Sequence, residues 1–387
     1  MADAPGRARA AVTRLKLTNF RSWAALDLSL DPRPVCLFGP NGAGKTNLVE
    51  AVSFLGPGRG LRGAGADAVR RRDEDGPATI WAVYAEAETV DGPVSLATGA
   101  DPDNPARRRT RLEGAAATQT ELARLFPMLW LTPREDRLWA GPRSDRLRFF
   151  DRLVLAGEPG HAAAATAYEK AQRQRQRLLD RMEEGERADP DWLAALEAEM
   201  AANGVAMAAA RLETLARLQA EIDARAASRF PKADLALEGA VEAMLAEGMK
   251  AGEAEDAFGR DLEAARRRDG AAGRALTGPH RTELTAVHRE KARAASDCST
   301  GEQKALLTGL ALAQAAALAT ARGAAPVIIL DEACAHLDET RREGLAEAIA
   351  DLGGQAWLTG VERALFAPFG TGAQYVAIGD GKAEIVG

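Results

Sequence analysis

The chain is poor in cysteine, histidine and aromatic residues. Of its 387 residues, three are Cys, four are His and 5% are Phe, Trp or Tyr. The cysteines Cys36, Cys298 and Cys334 are odd in number and lack the spacing of metal ligands. We therefore expect reduced packing residues, which argues against a disulfide framework and against a zinc site.

Long apolar runs are also scarce. We find no stretch of the length that a membrane span needs, and the first ten residues lack the hydrophobic region of a secretory signal. The length is sufficient for the core of two or three domains. The sequence predicts a cytoplasmic protein without membrane contact.

Positive charge is in deficit as well. The formal net charge is −6 and the isoelectric point is about 5.5, whereas simple nucleic-acid-binding proteins are usually basic. Local patches, however, neutralise phosphates whatever the net charge of the chain. Nucleic acid therefore stays open as a ligand.

A glycine-rich segment lies between a predicted strand and a predicted helix. Val35–Phe38 is a short apolar run, and residues 47–55 have the apolar spacing of a helix. A strand-loop-helix turn directs backbone N–H groups and the helix dipole at one point, which suits a phosphate chain. The alternative is a chance turn in a chain with 37 glycines. We predict ATP bound by Gly39, Pro40, Asn41, Gly42, Ala43, Gly44, Lys45, Thr46 and Asn47.

Within this loop, Lys45 would reach the β- and γ-phosphates and the Thr46 hydroxyl would ligate Mg²⁺. Val327–Leu330 is a second aliphatic run, and it ends in two carboxylates, Asp331 and Glu332. Open α/β sheets carry their chemistry at such strand ends. We expect Asp331 to orient the Mg²⁺ shell and Glu332 to polarise the attacking water, with Lys45 as the second catalytic residue. The alternative is a strand followed by an acidic helix cap.

Residues 299–303, Ser-Thr-Gly-Glu-Gln, open a predicted helix over residues 304–321 with an apolar leucine face. Ser299 with Glu302 could be a plain capping box. Together with the two motifs above, this segment resembles the signature of the ABC ATPase superfamily. That resemblance implies two ATP molecules held between two subunits in a head-to-tail dimer. Ser299, Gly301 and Gln303 would then bind the nucleotide of the partner, and residues 335–338 would cross the interface.

The start of the chain narrows the resemblance. A predicted strand ahead of the phosphate loop ends in Asn19-Phe20-Arg21-Ser22. Such an opening is typical of the chromosome-maintenance and DNA-repair branch of the ABC ATPase superfamily. In that branch the arginine is expected near the nucleotide. Together with residues 131–138, 141–151, 278–284 and 331–338, this opening resembles the RecF family of bacterial recombination mediator ATPases over essentially the whole chain. The resemblance implies an α/β ATPase head of the ABC/SMC type with an inserted helical lobe.

The family resemblance also implies a function. The expected protein is a weak, DNA-stimulated ATPase of recombinational repair, replication maintenance and the SOS response. Its ATP-dependent homodimer would clamp duplex DNA at single-strand/double-strand junctions or stalled forks, release it on slow hydrolysis, and help other mediator proteins to load the recombinase.

The sequence departs from the pattern of the ABC ATPase superfamily in two places, and two rival functions stay open. The chain has no histidine beyond His336 that could be a switch histidine, and Gln119 has no motif around it that would mark a glutamine loop. Thr359, at the end of a predicted strand over residues 356–360, is a candidate phosphate sensor. The rival functions are a transport-type ABC subunit coupled to a membrane protein and a nucleotide-stabilised scaffold without turnover.

The candidate DNA contacts are arginines, each of which could instead be part of a solvated face. The leading group follows the first helix: Arg59, Arg62, Arg70, Arg71 and Arg72. Further runs are Arg107 to Arg109 with Arg111, and Arg143, Arg146 and Arg148.

We predict three regions along the chain: residues 1–140 as the first part of the ATPase head, 141–274 as a mostly helical lobe, and 275–387 as the second part of the head. Residues 161–229 are rich in Ala, Arg, Glu and Gln and predict two helical arms separated at residues 188–191. Residues 232–269 predict further helical or mixed elements, 266–270 a turn back towards the head, and 284–287 a strand.

Overall fold

The computed structural model describes residues 10–73, 76–187, 189–225 and 229–387. Its strands are β1 (Ala11–Phe20), β2 (Trp23–Ser29), β3 (Val35–Phe38), β4 (Arg72–Asp73), β5 (Gly76–Pro77), β6 (Ala82–Thr89), β7 (Gly92–Ala100), β8 (Arg108–Leu112), β9 (Ala115–Ala116), β10 (Met128–Leu131), β11 (Ala233–Glu238), β12 (Glu283–His288), β13 (Arg293–Ala294), β14 (Val327–Leu330), β15 (Ala356–Gly360), β16 (Gln374–Gly379) and β17 (Lys382–Val386). Its helices are α1 (Lys45–Ser53), α2 (Gln119–Leu125), α3 (Arg143–Gly157), α4 (His161–Glu183), α5 (Pro190–Ala224), α6 (Ala240–Ala246), α7 (Ala251–Ala272), α8 (Thr300–Arg322) and α9 (Glu339–Leu352). Short 3₁₀ segments lie at Glu135–Arg137, Pro279–Arg281, Arg289–Lys291, Ala295–Asp297, Ala333–His336 and Arg363–Gly372.

The chain divides into two compact units. Unit 1 comprises Met1–Arg137, Glu221–Lys232 and Ser299–Gly387, and unit 2 comprises Leu138–Ala220 and Ala233–Cys298. This division differs from the predicted return to the head at residue 275. Residues 275–298 stay in unit 2 because β12 pairs along its whole length with β11, from Glu283 opposite Glu238 to His288 opposite Ala233.

Unit 1 contains a six-stranded sheet in the order β10-β14-β15-β3-β16-β17. All its neighbours are parallel except β16 and β17. β3, β14 and β15 have the predicted bounds, and β14 and β15 are buried throughout. Because these strands run in parallel, their carboxyl ends meet at one edge of the sheet, which is where the phosphate loop and the carboxylate pair lie.

The second sheet of unit 1 is antiparallel, in the order β2-β1-β6-β7-β8-β9. One buried cluster combines side chains from this sheet, from α1 and from the parallel sheet, for example Leu15, Leu37, Val49 and Ile329. The phosphate loop and its helix are therefore held from both sides by the core of unit 1.

Unit 2 contains α4 and most of α5, the predicted helical pair, and the last turn of α5, from Glu221, belongs to unit 1. α4 and α5 have 23 and 35 residues, and α5 begins at Pro190, as the predicted break requires; Ala188 lies outside the described residues. The predicted turn at residues 266–270 was wrong, because these residues continue α7. Phe258, Leu262 and Ala265 form its buried face and extend the helical period up to that point.

Helix α8 corrects the expectation about membrane-length segments. It is long and apolar enough to cross a membrane, although 78% of its apolar window is buried inside the structure. Leu306, Leu307, Leu310 and Leu312 all lie in the core, as predicted. All three cysteines are buried, and burial raises the pKa of the Cys334 thiol to about 12, which agrees with their prediction as packing residues.

Candidate active site

The glycines at the two ends of the phosphate loop are required by their backbone and by close packing. Gly39 and Gly44 have φ angles of 152° and 105°, in the region that favours glycine. A Cβ on Gly39 would lie 2.1 Å from the carbonyl oxygen of Ile378, and one on Gly44 would lie 2.9 Å from Ser22 Oγ. The loop is thus a built turn and not an accident of composition.

The N-terminus of α1 is suited to an anion. Its N-cap is Gly44, which has no side chain with which to cap the first amides, and residues 45–48 include no acidic residue. The indole Nε1 of Trp23 donates to the carbonyl oxygen of Gly44 at 3.3 Å, which holds the start of the helix. Uncapped amides at the positive end of a helix dipole attract phosphate.

Lys45 lies inside this loop and is 6% exposed. Its ammonium donates to the carbonyl oxygens of Gly39 at 2.7 Å and Pro40 at 2.8 Å. Burial lowers the pKa of Lys45, and the nearby carboxylates of Glu332 and Asp331 oppose this shift. The cation therefore lies between the loop and the carboxylate pair, with two of its three donors on loop carbonyls.

The carboxylate pair follows β14. One oxygen of Asp331, Oδ1, accepts hydrogen bonds from the Thr46 hydroxyl at 3.1 Å and from the Thr359 hydroxyl at 2.7 Å. Burial raises the pKa of Asp331, and these two hydroxyls act in the opposite direction. Glu332 has a left-handed backbone, with φ of 56°, a conformation that non-glycine residues adopt at a cost and often at functional sites.

This arrangement fits a Mg²⁺ ion that is shared with a nucleotide. Within the described residues, no cluster of three or more His, Cys, Asp or Glu residues could hold a metal ion by itself. Mg²⁺ commonly takes only one or two protein oxygens and completes its shell with water and phosphate. The adjacent Thr46 hydroxyl and Asp331 carboxylate supply such oxygens.

The predicted signature segment begins α8. Ser299 is its N-cap and forms a capping box with Glu302: the Ser299 amide donates to Glu302 Oε2 at 2.8 Å, and the Glu302 amide donates to Ser299 Oγ at 3.4 Å. The capping-box alternative is therefore correct within the subunit. Ser299 is nevertheless exposed, and a Cβ on Gly301 would meet nothing within 4 Å among the described residues. Gln303 is buried.

Arg21 lies beside α1, and its guanidinium is engaged there. Nε and Nη2 donate to the two carboxylate oxygens of Glu50 at 2.9 and 2.8 Å, and Nη1 donates to the carbonyl oxygen of Ala68 at 2.8 Å. Glu50 is fully buried. In this structure Arg21 holds the helix of the phosphate loop, and direct contact with nucleotide stays a prediction.

The leading arginine group is only partly available to a ligand. Arg62 Nη1 donates to Asn47 Oδ1 at 2.9 Å and to Glu50 Oε2 at 3.2 Å. Arg70 Nε donates to the carbonyl oxygen of Asp67 at 3.2 Å. Arg70 and Arg71 are half-buried, whereas Arg59, Arg62 and Arg72 are exposed. Arg59 and Arg72 are thus the most accessible of the five predicted DNA contacts.

Each of the other arginine runs contains one arginine with a structural role, while Arg107, Arg109, Arg111 and Arg148 are exposed. Arg108 donates to the carbonyl oxygens of Phe54, Gly56 and Gly58, and burial lowers its pKa to about 10. Arg146 forms a two-point ion pair with Glu283, with distances of 2.6 and 2.9 Å. Sequence alone could not separate such arginines from exposed ones, because their partners are distant along the chain.

Some site features were not predicted. Thr359 bonds to both residues of the carboxylate pair, since the Glu332 amide donates to its hydroxyl at 2.8 Å. Buried Lys304 of α8 lies 3.3 Å from Asp136. Gln119 begins α2 and does not lie in a loop; its side chain and that of His336 lie outside the described part of the structure.

The family model named RecF/RecN/SMC N terminal domain matches residues 11–367. A curated relative from Caulobacter sp. (strain K31), a DNA replication and repair protein RecF, is 52% identical over 92% of this chain and 94% of its own length. The RecF proteins of Caulobacter vibrioides and Rhizobium meliloti are 51% and 47% identical, over 96% of this chain and 97% and 98% of their lengths. The chain belongs to the RecF family.

Solved structures agree on the fold of this RecF family member. The recombination mediator protein RecF-ATPrS of the RecFOR pathway has a TM-score of 0.84 and 18% identity, over 99% of this chain and all of that one. The corresponding RecF-ATP structure has a TM-score of 0.79. The Smc head domain of Pyrococcus furiosus has a TM-score of 0.51 over 97% of this chain. The predicted ABC/SMC-type fold is confirmed, and the comparisons give no support to the transport-type alternative.

Proposed function

We propose that the chain is an ATP-dependent DNA-binding protein of recombinational repair and replication maintenance, which hydrolyses ATP to ADP and phosphate at the edge of the parallel sheet of unit 1. The observation that carries the proposal is the meeting of three separate segments at one point, where Thr46, Asp331 and Thr359 are joined by hydrogen bonds. Membership of the RecF family supports the DNA-repair context.

In this proposal the loop from Gly39 to Asn47 cradles the phosphates through its amides, and Lys45 exchanges its bonds to loop carbonyls for the β- and γ-phosphate oxygens. Thr46 and Asp331 hold Mg²⁺, which neutralises phosphate charge when bound. Glu332 accepts a proton from the water whose oxygen attacks the γ-phosphorus, and ADP leaves.

The active form is a head-to-tail homodimer. Ser299 and Gly301 contact the γ-phosphate bound by the partner, which agrees with the exposure of Ser299 and the open space at Gly301. Gln303, inside the start of α8, supports this surface. The second subunit completes the site, so assembly depends on ATP, and hydrolysis separates the subunits.

The dimer clamps duplex DNA near single-strand/double-strand junctions or stalled forks and releases it on slow hydrolysis. Arg59, Arg62, Arg70, Arg71 and Arg72 are the proposed phosphate contacts. Binding through a local patch is compatible with a net charge of −6, because only the patch neutralises phosphates. The partners are the recombination mediators of the same pathway, which load the recombinase, and the protein acts in the cytoplasm. Unit 2 corresponds to the mostly helical lobe that is inserted, along the chain, between the parts of the ATPase head.

Sizing by analytical ultracentrifugation tests the proposal, with and without ATP and with and without duplex DNA. We expect a monomer without ATP and a dimer with ATP, and we expect the dimer to bind duplex DNA. The ATPase rate, measured on the same samples, should be higher when DNA is present. A dimer with ATP but without measurable turnover would favour the scaffold alternative. A monomer under all conditions contradicts the clamp.

A further inference from the structure

Thr359 has a central place in the carboxylate site. It lies near the end of β15, between β14 and β3, and is fully buried. Its hydroxyl donates to Asp331 Oδ1 at 2.7 Å and accepts a hydrogen bond from the Glu332 amide at 2.8 Å. One side chain on a neighbouring strand thus touches the predicted metal ligand and the backbone of the predicted base.

The direction of these bonds is fixed by chemistry. A backbone amide can only donate, so the Thr359 oxygen must accept from Glu332. A hydroxyl has one proton, which is used by the carboxylate of Asp331. While both bonds exist, this hydroxyl has no proton for a phosphate oxygen, which argues against Thr359 as a direct phosphate sensor.

Both bonds constrain geometry that the proposed reaction needs. Thr46 and Thr359 both donate to Oδ1 of Asp331, which restricts the rotation of that carboxylate group. The bond from the Glu332 amide stabilises a left-handed backbone, with φ of 56°, that a glutamate otherwise adopts at a cost. The hydroxyl therefore restricts the orientation of one carboxylate and the backbone of the next.

We infer that Thr359 is a positioning residue, which orients Asp331 for the Mg²⁺ shell and Glu332 for the attacking water through a single hydroxyl. This inference rests on the proposed function of the site. β15 thereby helps to position the carboxylate pair, in a chain that has no histidine after His336 to serve as a switch histidine.

The test compares Thr359→Val, which keeps the shape and removes the hydroxyl, with Thr359→Ser, which keeps the hydroxyl. Because residues that orient metal ligands typically contribute about 10- to 100-fold to metal affinity or activity, we expect Val to lower kcat by about that factor and to raise the Mg²⁺ concentration needed for half-maximal nucleotide binding about tenfold. Nucleotide affinity without Mg²⁺ should change little, and Ser should restore both quantities to near the parental values.

Thr110→Val is the matched control. Thr110 is a buried threonine of β8, in the antiparallel sheet of unit 1, and its hydroxyl donates to the carbonyl oxygen of Ala117. It should leave kcat and the Mg²⁺ requirement unchanged. Thermal melting of all three variants separates a loss of folding from a loss of positioning.

The inference is overturned if Thr359→Val keeps the parental kcat and Mg²⁺ requirement, or if Ser and Val are impaired equally although both are folded. The variant Glu332→Gln separates this outcome from failure of the proposed function. If Glu332→Gln is inactive while Thr359→Val is fully active, only the positioning role is wrong. If Glu332→Gln retains parental turnover, the proposed catalytic site itself is wrong.

Discussion

Arg21 and Glu50 form a two-point ion pair between the end of β1 and the helix that follows the phosphate loop. Both oxygens of the fully buried Glu50 carboxylate are bound, and Arg62 lies against one of them as a second cation. The pair ties the end of β1 to α1. Its carboxylate, on Glu50, lies three residues after Asn47, the last residue predicted to bind nucleotide. It gives the arginine a structural role that family resemblance alone did not imply.

Replacing this carboxylate should be costly. Glu50→Ala leaves two guanidinium groups without their shared partner, and because both still reach solvent we expect a cost of about 1 to 3 kcal/mol, typical of lost hydrogen bonds to a charged group. Urea unfolding measures the loss. Glu86→Ala, which removes an exposed glutamate of β6 that lies 3.7 Å from Arg14, should cost less than about 1 kcal/mol. Equal losses in the two variants would show that the Arg21–Glu50 pair contributes no more than a surface pair.

Lys45→Met should weaken ATP binding by about tenfold or more, because it removes a charge-assisted contact to phosphate. ATP-driven dimerisation should be lost with it. Lys45→Arg should retain part of the binding but lose turnover, since a planar guanidinium does not fit a site built for a compact charge. Titration calorimetry measures the affinities. Parental ATP affinity in the Met variant contradicts the assignment of the phosphate loop.

Ser299 should act both as the cap of α8 and as a contact to the partner's γ-phosphate. Ser299→Ala removes the cap, at a cost of about 1 kcal/mol in stability, together with one hydroxyl contact to phosphate, so ATP-driven dimerisation should weaken but persist through the open backbone at Gly301. Ser299→Arg should bind ATP as a monomer but fail to dimerise, because a bulky cation would occupy the position of the partner's γ-phosphate.

Mixing gives the sharper readout for the same site. A Lys45→Met subunit keeps a good signature and a Ser299→Arg subunit keeps a good phosphate loop, so the mixed dimer has one intact composite site. Two individually inactive proteins should then regain partial ATPase activity together. Normal dimerisation and hydrolysis by Ser299→Arg alone would mean that Ser299 is only a helix cap.

The exposed arginines should carry the salt dependence of DNA binding. Arg59→Ala and Arg72→Ala should each weaken duplex binding for all sequences and lower the slope of log affinity against log salt by about one. Arg173→Ala is the control, since this exposed arginine of α4 pairs with Glu169 on its own helix. If the control and the two variants lose affinity alike, the DNA-binding surface lies elsewhere.

The elements that form the site could be predicted from sequence because their signals are local. β3 and β14 are short apolar runs that are directly followed by Gly39 and Asp331, and parallel strands bring such ends together. The bonds of Thr359 and the pairing of Arg21 with Glu50 could not be predicted, because each joins residues far apart in sequence. The return from unit 2 was misplaced for the same reason: β12 pairs with β11 across a long helical segment.

The central claim is that ATP joins two subunits and that Glu332 ends this state by hydrolysis. Glu332→Gln keeps the shape of the side chain while removing the base. Sedimentation of this variant with ATP and Mg²⁺, with turnover measured on the same sample, tests the claim most directly. The account predicts a stable dimer that hardly cleaves ATP, and a monomer or turnover at the parental rate would contradict it.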